Sequence, residues 1–212
     1  MRILIVAATA AELGPCLPRL QSMQDVEVLV TGVGMVATAA RCARALAKER
    51  YDLALNVGVC GSFHPSLLPG TAVHVISDGM PELGAEDDNA FLTLEQLGLR
   101  GPDDFPFHGG RLVNSAPPVN AVVGALPAVR GITVNTVHGN DSSIAAVVQR
   151  YQPEVESMEG AGFMYACLVE GVPFAQVRAV SNVVERRNRD AWKLKEAVDS
   201  LGVTTLKILD SL

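Results

Sequence analysis

Short apolar runs alternate with segments of helical spacing along most of the chain. The runs are rich in β-branched residues and predict strands at 3–8, 26–31, 53–57, 71–77, 131–137 and 174–180. Apolar residues that recur with helical spacing predict helices at 36–50, 141–151, 160–170 and 189–209. Strands that alternate with helices are typical of a parallel or mixed sheet with helices on both faces. The pattern therefore predicts an α/β fold with a central mixed, twisted β-sheet.

Residues 79–131 break this alternation. Gly and Pro cluster there, as in Gly101-Pro102, Gly109-Gly110 and Pro117-Pro118. We expect irregular loops with one or two strands in this stretch, and not a separate domain. A chain of 212 residues has the length of one domain with a substantial core. We therefore expect residues 1–212 to form a single domain.

Composition narrows the class of protein. Hydrophobic residues make up 49% of the chain, which argues against disorder, and the formal net charge of -6 argues against a nucleic-acid partner. No apolar stretch approaches the roughly 20 residues of a membrane-spanning helix, so we expect no membrane partner. The first apolar run is short and Glu12 follows early, which favours a buried strand over a signal peptide. The scattered cysteines are expected to be reduced core residues of a cytoplasmic protein: Cys16, Cys42, Cys60 and Cys167.

Polar groups at strand ends are the first candidates for a site, because ligands of such sheets bind beyond the carboxyl ends of the strands. Glu12 follows the first predicted strand, where it can act as a general base on water or support a helix dipole. Gly32 and Gly34 follow the second strand, and their N–H groups can hold an anion or a hydroxyl, or merely form a tight turn. Gly58 and Cys60 predict a second glycine loop, where a ligand approaches the backbone or the chain simply turns.

The segment that contains the first two glycines also fits the looser dinucleotide pattern G-x-G-x-x-A. That pattern needs an acidic residue at the end of the next strand to hold a ribose. Here Asn56 ends that strand and Asp52 lies at its start. A nicotinamide cofactor is therefore disfavoured. The sequence also has no Cys/His ligand cluster, so we expect neither a cofactor nor a metal.

Two later segments carry further polar candidates. Met158 and Glu159 precede the helix 160–170, where the carboxylate can accept two sugar hydroxyls while the thioether covers the ring, or the Glu can support the helix dipole. Ser181 and Asn182 end the strand 174–180 and can bind a base or form a turn.

A charged loop and the sole tryptophan follow this strand. Arg186 and Arg187 precede Trp192. A run of charges is commonly a solvated face, but arginines beside a pocket indicate an anionic group, here a carboxylate, on the ligand.

In this order, the segments resemble the purine nucleoside phosphorylase and nucleosidase superfamily across nearly the whole chain. Within it, the chain looks most like the futalosine hydrolase family. The likeness lies in Val134-Asn135-Thr136-Val137-His138-Gly139-Asn140, Val155-Glu156-Ser157-Met158-Glu159-Gly160-Ala161 and the stretch from Ala179 to Trp192. Motifs of this length are far more specific than a single G-x-G.

The resemblance implies a role for each candidate. Glu12 orients or activates the attacking water, and Glu159 takes the ribose 2′- and 3′-hydroxyls beside Met158. Ser181 and Asn182 face the purine, and Trp192 lines the pocket. It also implies a small-molecule nucleoside substrate, a step of the alternative menaquinone pathway, and a homo-oligomer whose neighbouring subunit closes the site. Candidates for contact with the far end of the substrate are Phe91, Phe105 and Phe107.

Asn182 departs from the adenine-releasing nucleosidases, which carry Asp there as the general acid at purine N7. An Asn side chain supplies no proton, so the proton must come from solvent or from a group the sequence does not identify. Hypoxanthine presents two acceptors, O6 and N7, to which the NH2 group of Asn182 can donate. The substitution thus indicates a 6-oxopurine, and the predicted reaction is hydrolysis of the N-glycosidic bond of futalosine.

Three alternatives stay open. A methylthioadenosine/adenosylhomocysteine nucleosidase is disfavoured by Asn182. A purine nucleoside phosphorylase needs arginines around a phosphate, and Arg41 lies within a helix from which its side chain is expected to point away. A non-catalytic nucleoside- or dinucleotide-binding module would retain the glycine turns, but it has no need for Glu12 together with Glu159.

Overall fold

The computed structural model describes the backbone of residues 1–212 and the side chains of residues 1–14 and 16–212. The strands are β1 (Ile3–Ala7), β2 (Val26–Val30), β3 (Leu53–Ser62), β4 (Ala72–Gly79), β5 (Gly84–Asp87), β6 (Ala90–Thr93), β7 (Phe107–His108), β8 (Arg111–Val113), β9 (Ala128–Thr133), β10 (Val155–Ser157) and β11 (Phe174–Val183). The α-helices are α1 (Ala10–Leu13), α2 (Leu17–Ser22), α3 (Met35–Lys48), α4 (Ala121–Ala125), α5 (Asp141–Tyr151), α6 (Gly160–Glu170) and α7 (Leu194–Asp210).

One mixed sheet organises the chain. Its strand order is β2-β1-β3-β10-β9-β4-β8-β7, and β11 pairs with both β3 and β4. The five strands β3, β10, β9, β4 and β11 therefore close into a ring. Strand β11 runs parallel to β3 and antiparallel to β4. The predicted α/β class with a central mixed sheet flanked by helices is confirmed.

Apolar layers cover the sheet. On one side, α7 buries Ala197, Leu201 and Ile208 at helical spacing against β1, β3 and β11. On the other side, α3 and α6 pack together over the sheet, and Cys42 and Phe163 are fully buried there. The four cysteines are buried and free, as the sequence predicts. Of the helices whose bounds are given above, none has the length and apolarity needed to cross a bilayer.

The predicted helices 36–50, 141–151 and 160–170 are confirmed as α3, α5 and α6. The prediction of only one or two strands within 79–131 is wrong, because this stretch contains β5 to β8, α4 and most of β9. The strand predicted at 131–137 occupies Ala128–Thr133 instead, where it pairs with β4 and β10. The last helix begins at Leu194, after a short 3₁₀ turn at Arg189–Ala191. Strands of two to four residues form because they pair with neighbouring strands, and they are too short to show a periodic pattern of apolar residues in the sequence.

The predicted second glycine loop is also wrong, because β3 continues through Asn56–Gly61 to Ser62. Gly58 is required because the Arg178 side chain approaches the backbone closely there, and not because the chain turns. A Cβ there would lie 2.1 Å from Nη1 of Arg178. Strand β11 likewise continues beyond residue 180, with a register shift between Val180 and Asn182. This irregularity places Ser181 and Asn182 within the strand.

Candidate active site

A cavity of about 320 Å³ lies where the carboxyl ends of β1, β3 and β11 meet β10 and the start of α6. Seven of the residues predicted for the site line it: Glu12, Cys60, Met158, Glu159, Ser181, Asn182 and Trp192. These residues come from segments far apart in sequence. The carboxyl-end rule for ligand sites thus correctly located the cavity.

Glu12 caps its own helix and lines the cavity, while its role as a general base stays a prediction. In the first turn of α1, its Oε2 accepts a hydrogen bond from Thr9 N at 3.0 Å, which closes a capping box. Its Oε1 accepts from Val59 N at 3.2 Å and lines the cavity. Burial raises the pKa of Glu12, against the opposing effect of the nearby Arg178 charge. The raised pKa makes this carboxylate a better proton acceptor than an exposed one.

Glu159 is held by the first glycine turn. Its Oε1 accepts a hydrogen bond from Gly34 N at 3.0 Å, and its Oε2 lies 3.8 Å from Arg178 Nη1. Gly34 has a φ of 101°, a conformation that other residues rarely adopt, and it caps α3. The turn around Gly32 and Gly34 therefore orients a carboxylate, while direct contact of these glycines with a ligand stays a prediction. Lone pairs of Oε2 remain for ligand hydroxyls.

Arg178 lies behind the cavity lining, against two of its carboxylates, and the sequence analysis did not single it out. It lies in β11 and is fully buried. Its Nη1 has no hydrogen-bond partner among the described side chains and backbone, and it faces Glu159 at 3.8 Å. A Cβ on Gly58 would contact both this atom and Glu12 Oε1, so the guanidinium lies close to both carboxylates. The sequence signal was a single Arg inside an otherwise apolar strand.

A chain of buried polar groups holds this guanidinium in place. Arg178 Nη2 donates to Asn56 Oδ1 and, at 3.2 Å, to Gln176 Oε1. Gln176 Nε2 donates to Asp78 Oδ2 at 3.0 Å, and Thr133 Oγ1 donates to Asp78 Oδ1 at 3.0 Å. Burial raises the pKa of Asp78 to about 6. Because this network of hydrogen bonds connects β3, β11, β4 and β9 inside the ring of strands, it preorganises the side chain of Arg178.

The cavity lining also contains the pair predicted to face a base. Ser181 Oγ lies 3.1 Å from Cys60 O and 2.8 Å from Asn182 Oδ1. Asn182 Nδ2 donates to Val183 O at 2.9 Å, which leaves its second N–H for a ligand. The pair therefore offers an amide donor to the cavity.

The charged loop and the three phenylalanines lie elsewhere. Arg187 lies over the Trp192 ring at 5.6 Å from its centroid, and both Arg186 and Arg187 are exposed and outside the cavity lining. The predicted contact of these arginines with a ligand carboxylate stays a prediction. The predicted far-end candidates are also not brought to the cavity by this chain: Phe91 lies against Arg150, Phe105 is 74% exposed, and Phe107 packs against Arg100.

A second missed residue is Glu156, which lines the cavity beside Asn182. It is 4% exposed, and both of its oxygens contact His138. The two residues belong to segments on which the family resemblance rests, but nothing in either segment alone indicates that they meet. Within the described residues, no group of three or more His, Cys, Asp or Glu side chains is arranged to hold a metal ion.

Known proteins match this chain in sequence. The Phosphorylase superfamily profile matches residues 21–212. Futalosine hydrolase from Streptomyces coelicolor is 34% identical over 183 residues, 82% of this chain and 74% of that protein. The Thermus thermophilus futalosine hydrolase is 30% identical over 184 residues, 85% of this chain and 80% of that protein. The chain belongs to the futalosine hydrolase family of the phosphorylase superfamily.

Solved structures show how widely the fold of this family is shared. Helicobacter pylori futalosine hydrolase matches with a TM-score of 0.81 at 14% identity, covering 100% of this chain and 98% of that one. A 5′-methylthioadenosine/S-adenosylhomocysteine nucleosidase from Colwellia psychrerythraea matches with a TM-score of 0.82 at 20% identity, covering 100% and 96%. Nucleosidases that are named for different substrates share this fold, so the fold alone does not determine which purine base is released.

Proposed function

We propose that this protein hydrolyses the N-glycosidic bond of futalosine, releasing hypoxanthine and dehypoxanthine futalosine in the alternative menaquinone pathway. The observation that carries the proposal is one cavity lined by Glu12, Glu159 and Asn182, with the buried guanidinium of Arg178 against the two carboxylates. Identity of 30% and 34% to two futalosine hydrolases supports the choice of substrate.

The geometry supports a hydrolytic mechanism with an oxocarbenium-like transition state. Arg178 Nη1 donates to the oxygen of the attacking water, and Glu12 accepts the proton of this water as its oxygen bonds to C1′. Glu159 holds the ribose diol and, through its negative charge, stabilises the developing positive charge on the sugar. The remaining N–H of Asn182 stabilises the charge that develops on hypoxanthine.

Two observations weigh against the alternative reactions. Phosphorolysis needs a phosphate where the water attacks, but two carboxylates flank the single guanidinium there and would repel an anion. Arg41 is exposed and donates to Val30 O at 3.2 Å, outside the cavity lining. Release of adenine is disfavoured because Asn182 offers NH2 donors where adenine presents its own N6 donor.

Incubation with futalosine, inosine and methylthioadenosine, each with and without phosphate, tests the proposal. We expect rapid release of hypoxanthine from futalosine without phosphate, and a free sugar as the co-product. Dependence on phosphate would assign a phosphorylase, and preference for methylthioadenosine would assign the related nucleosidase. Binding of nucleoside without cleavage of any would assign a binding module.

We further propose that the protein works in the cytoplasm as a homo-oligomer whose second subunit covers the cavity mouth. Val33 lines the cavity and is 57% exposed, and Val36 nearby is 77% exposed. Apolar side chains beside an open site favour a protein partner. Light scattering at micromolar concentration tests the assembly, and a monomer with full activity would contradict it. Four free, buried cysteines support a reducing compartment, which cell fractionation tests.

A further inference from the structure

The departing purine needs a proton that Asn182 does not supply. Among the described residues that line the cavity, the ionisable side chains are those of Glu12, Cys60, Glu156 and Glu159. Glu12 and Glu159 lie beside the guanidinium, where the proposed mechanism places the water and the ribose. Burial raises the pKa of Cys60 to about 12, so its thiol is a poor proton donor. The remaining group is Glu156.

Strand register places Glu156 beside Asn182, the residue proposed to face the purine. Gly61 of β3 pairs with Glu156 of β10 on one side and with Asn182 of β11 on the other. A Cβ on Gly61 would lie 3.4 Å from Asn182 Nδ2 and 3.5 Å from Glu156 Cγ. The two side chains therefore flank the same backbone position, where Val184 Cγ2, 2.8 Å from the site of a Cβ, leaves room only for glycine.

His138 holds the carboxylate of Glu156 through both oxygens. Its backbone N donates to Oε1 at 3.1 Å, and its Nδ1 lies 2.6 Å from Oε2. Such a short contact between an imidazole and a carboxylate holds a proton between the two groups. The His138 side chain is 13% exposed and that of Glu156 is 4% exposed, so the imidazole is the member of the pair with more access to solvent. Packing against Phe63, at 6.2 Å between ring centroids, fixes the imidazole.

We propose that the Glu156–His138 pair supplies the proton taken up by the departing purine, an inference that rests on the proposed function. As the water oxygen bonds to C1′, Glu12 takes a water proton, and the C1′–N9 bond breaks with its electron pair going to the purine. N7 of the purine takes the shared proton of the pair from Glu156, which leaves a carboxylate and a neutral imidazole. The pair regains one proton from solvent through His138, and Glu12 releases the proton that it took from water. Futalosine and water thus become hypoxanthine and a free sugar.

In this scheme Glu156 is a catalytic residue that contacts the purine, whereas His138 is a positioning residue that acts through it. The inference also accounts for Asn182, because an acid at Glu156 leaves the amide free to bind the 6-oxo group. A nucleoside methylated at N7 departs as a neutral base and needs no proton. A comparison of the N7-methylated substrate with the unmethylated one therefore separates proton donation from every other role of the Glu156–His138 pair.

The test compares wild type, Glu156→Gln and His138→Gln on futalosine and on N7-methylfutalosine. We expect Glu156→Gln to lower kcat for futalosine by about 100-fold or more, in line with the usual contribution of general acid catalysis. The same variant should retain most of its kcat on the methylated substrate, and His138→Gln should show the same selectivity with a smaller loss. His108→Gln is the matched control, since His108 is exposed and pairs with Asp103 at the surface.

A pH profile on futalosine alone provides a second measurement. A general acid acts only while it carries its proton, so proton donation to the purine predicts that wild-type kcat on futalosine falls as pH rises. This alkaline limb should be absent from Glu156→Gln. Equal losses on both substrates, or an alkaline limb that persists in Glu156→Gln, would overturn the inference and leave the pair a structural or base-binding role. A wild type that cleaves neither substrate would overturn the proposed function itself.

Discussion

Replacing Gly58 by alanine places a methyl group between the Arg178 guanidinium and the carboxylate of Glu12, which we propose activates the water. The added Cβ would lie 2.1 Å from Arg178 Nη1 and 2.8 Å from Glu12 Oε1. Ordinary contacts of a Cβ begin near 3.4 Å, so the guanidinium must retreat by roughly 1 Å and the carboxylate by about half as much. This displacement disturbs the hydrogen bonds of Arg178 to Asn56 and Gln176, which hold the guanidinium in place.

The expected effects are large on turnover and moderate on stability. Overpacking of a buried site costs roughly 1–3 kcal/mol of unfolding free energy. Misplacement of catalytic groups by about 1 Å lowers the rate by about 100-fold. We therefore expect Gly58→Ala to fold with reduced stability and to lose kcat on futalosine by about 100-fold or more, with a smaller change in KM.

Urea unfolding followed by circular dichroism measures the stability, and hypoxanthine release followed by chromatography measures kcat. Gly124→Ala is the matched control, because Gly124 lies in α4 and a Cβ there meets no atom within 4 Å. This change should keep wild-type kcat and raise the unfolding free energy by roughly 0.5–1 kcal/mol. Wild-type kcat in a folded Gly58→Ala protein would refute the reasoning, because the two charged groups would then tolerate displacement.

The other predictions concern the three functional positions directly. Glu12→Gln should lower kcat about 100-fold or more, and the usual contribution of a general base sets that figure. Burial raises the pKa of Glu12, so wild-type kcat/KM should decrease as pH falls and this carboxylate becomes protonated, at a pH above the ordinary value of 4.5. The pH profile of Glu12→Gln should lack this acidic limb. Glu159→Gln should slow nucleosides with a ribose diol far more than their 2′-deoxy analogues, and equal losses in steady-state rates would exclude the diol contact. Wild type should prefer futalosine to its 6-amino analogue by roughly 5- to 150-fold in kcat/KM, because one unpaired polar group costs about 1–3 kcal/mol, and Asn182→Asp should shift this preference towards the amino substrate.

Long elements were predictable from the sequence, and short ones were not. Strands such as Ile3–Ala7 and helices such as Asp141–Tyr151 carry enough apolar positions to show a period. Strand Val155–Ser157 has three residues and exists because β3 and β9 pair with it on either side. The error over the second glycine segment has a different cause, because Gly58 indicates a turn in sequence but lies in the middle of the ten-residue strand β3.

The candidate site divides in a similar way. Glu12, Glu159 and Asn182 were predictable because each stands at a strand end or helix start, where ligands of α/β sheets bind. Arg178 was missed because a charged residue inside an apolar strand has meaning only once its neighbours are known. Its neighbours come from β3 and from α1, and no spacing in the chain links them.

The sequence by itself determined the fold class, the family and the carboxylates and amide that face the cavity, because these depend on local pattern and on motif identity. Only the tertiary structure decided which of these groups lie close together. Closure of β3, β10, β9, β4 and β11 into a ring brings Arg178 between two carboxylates, and the register of three strands at Gly61 brings Glu156 beside Asn182. The physical reason is that proton transfer and charge stabilisation act over a few ångströms, and strand register sets distances on that scale between residues far apart in the chain.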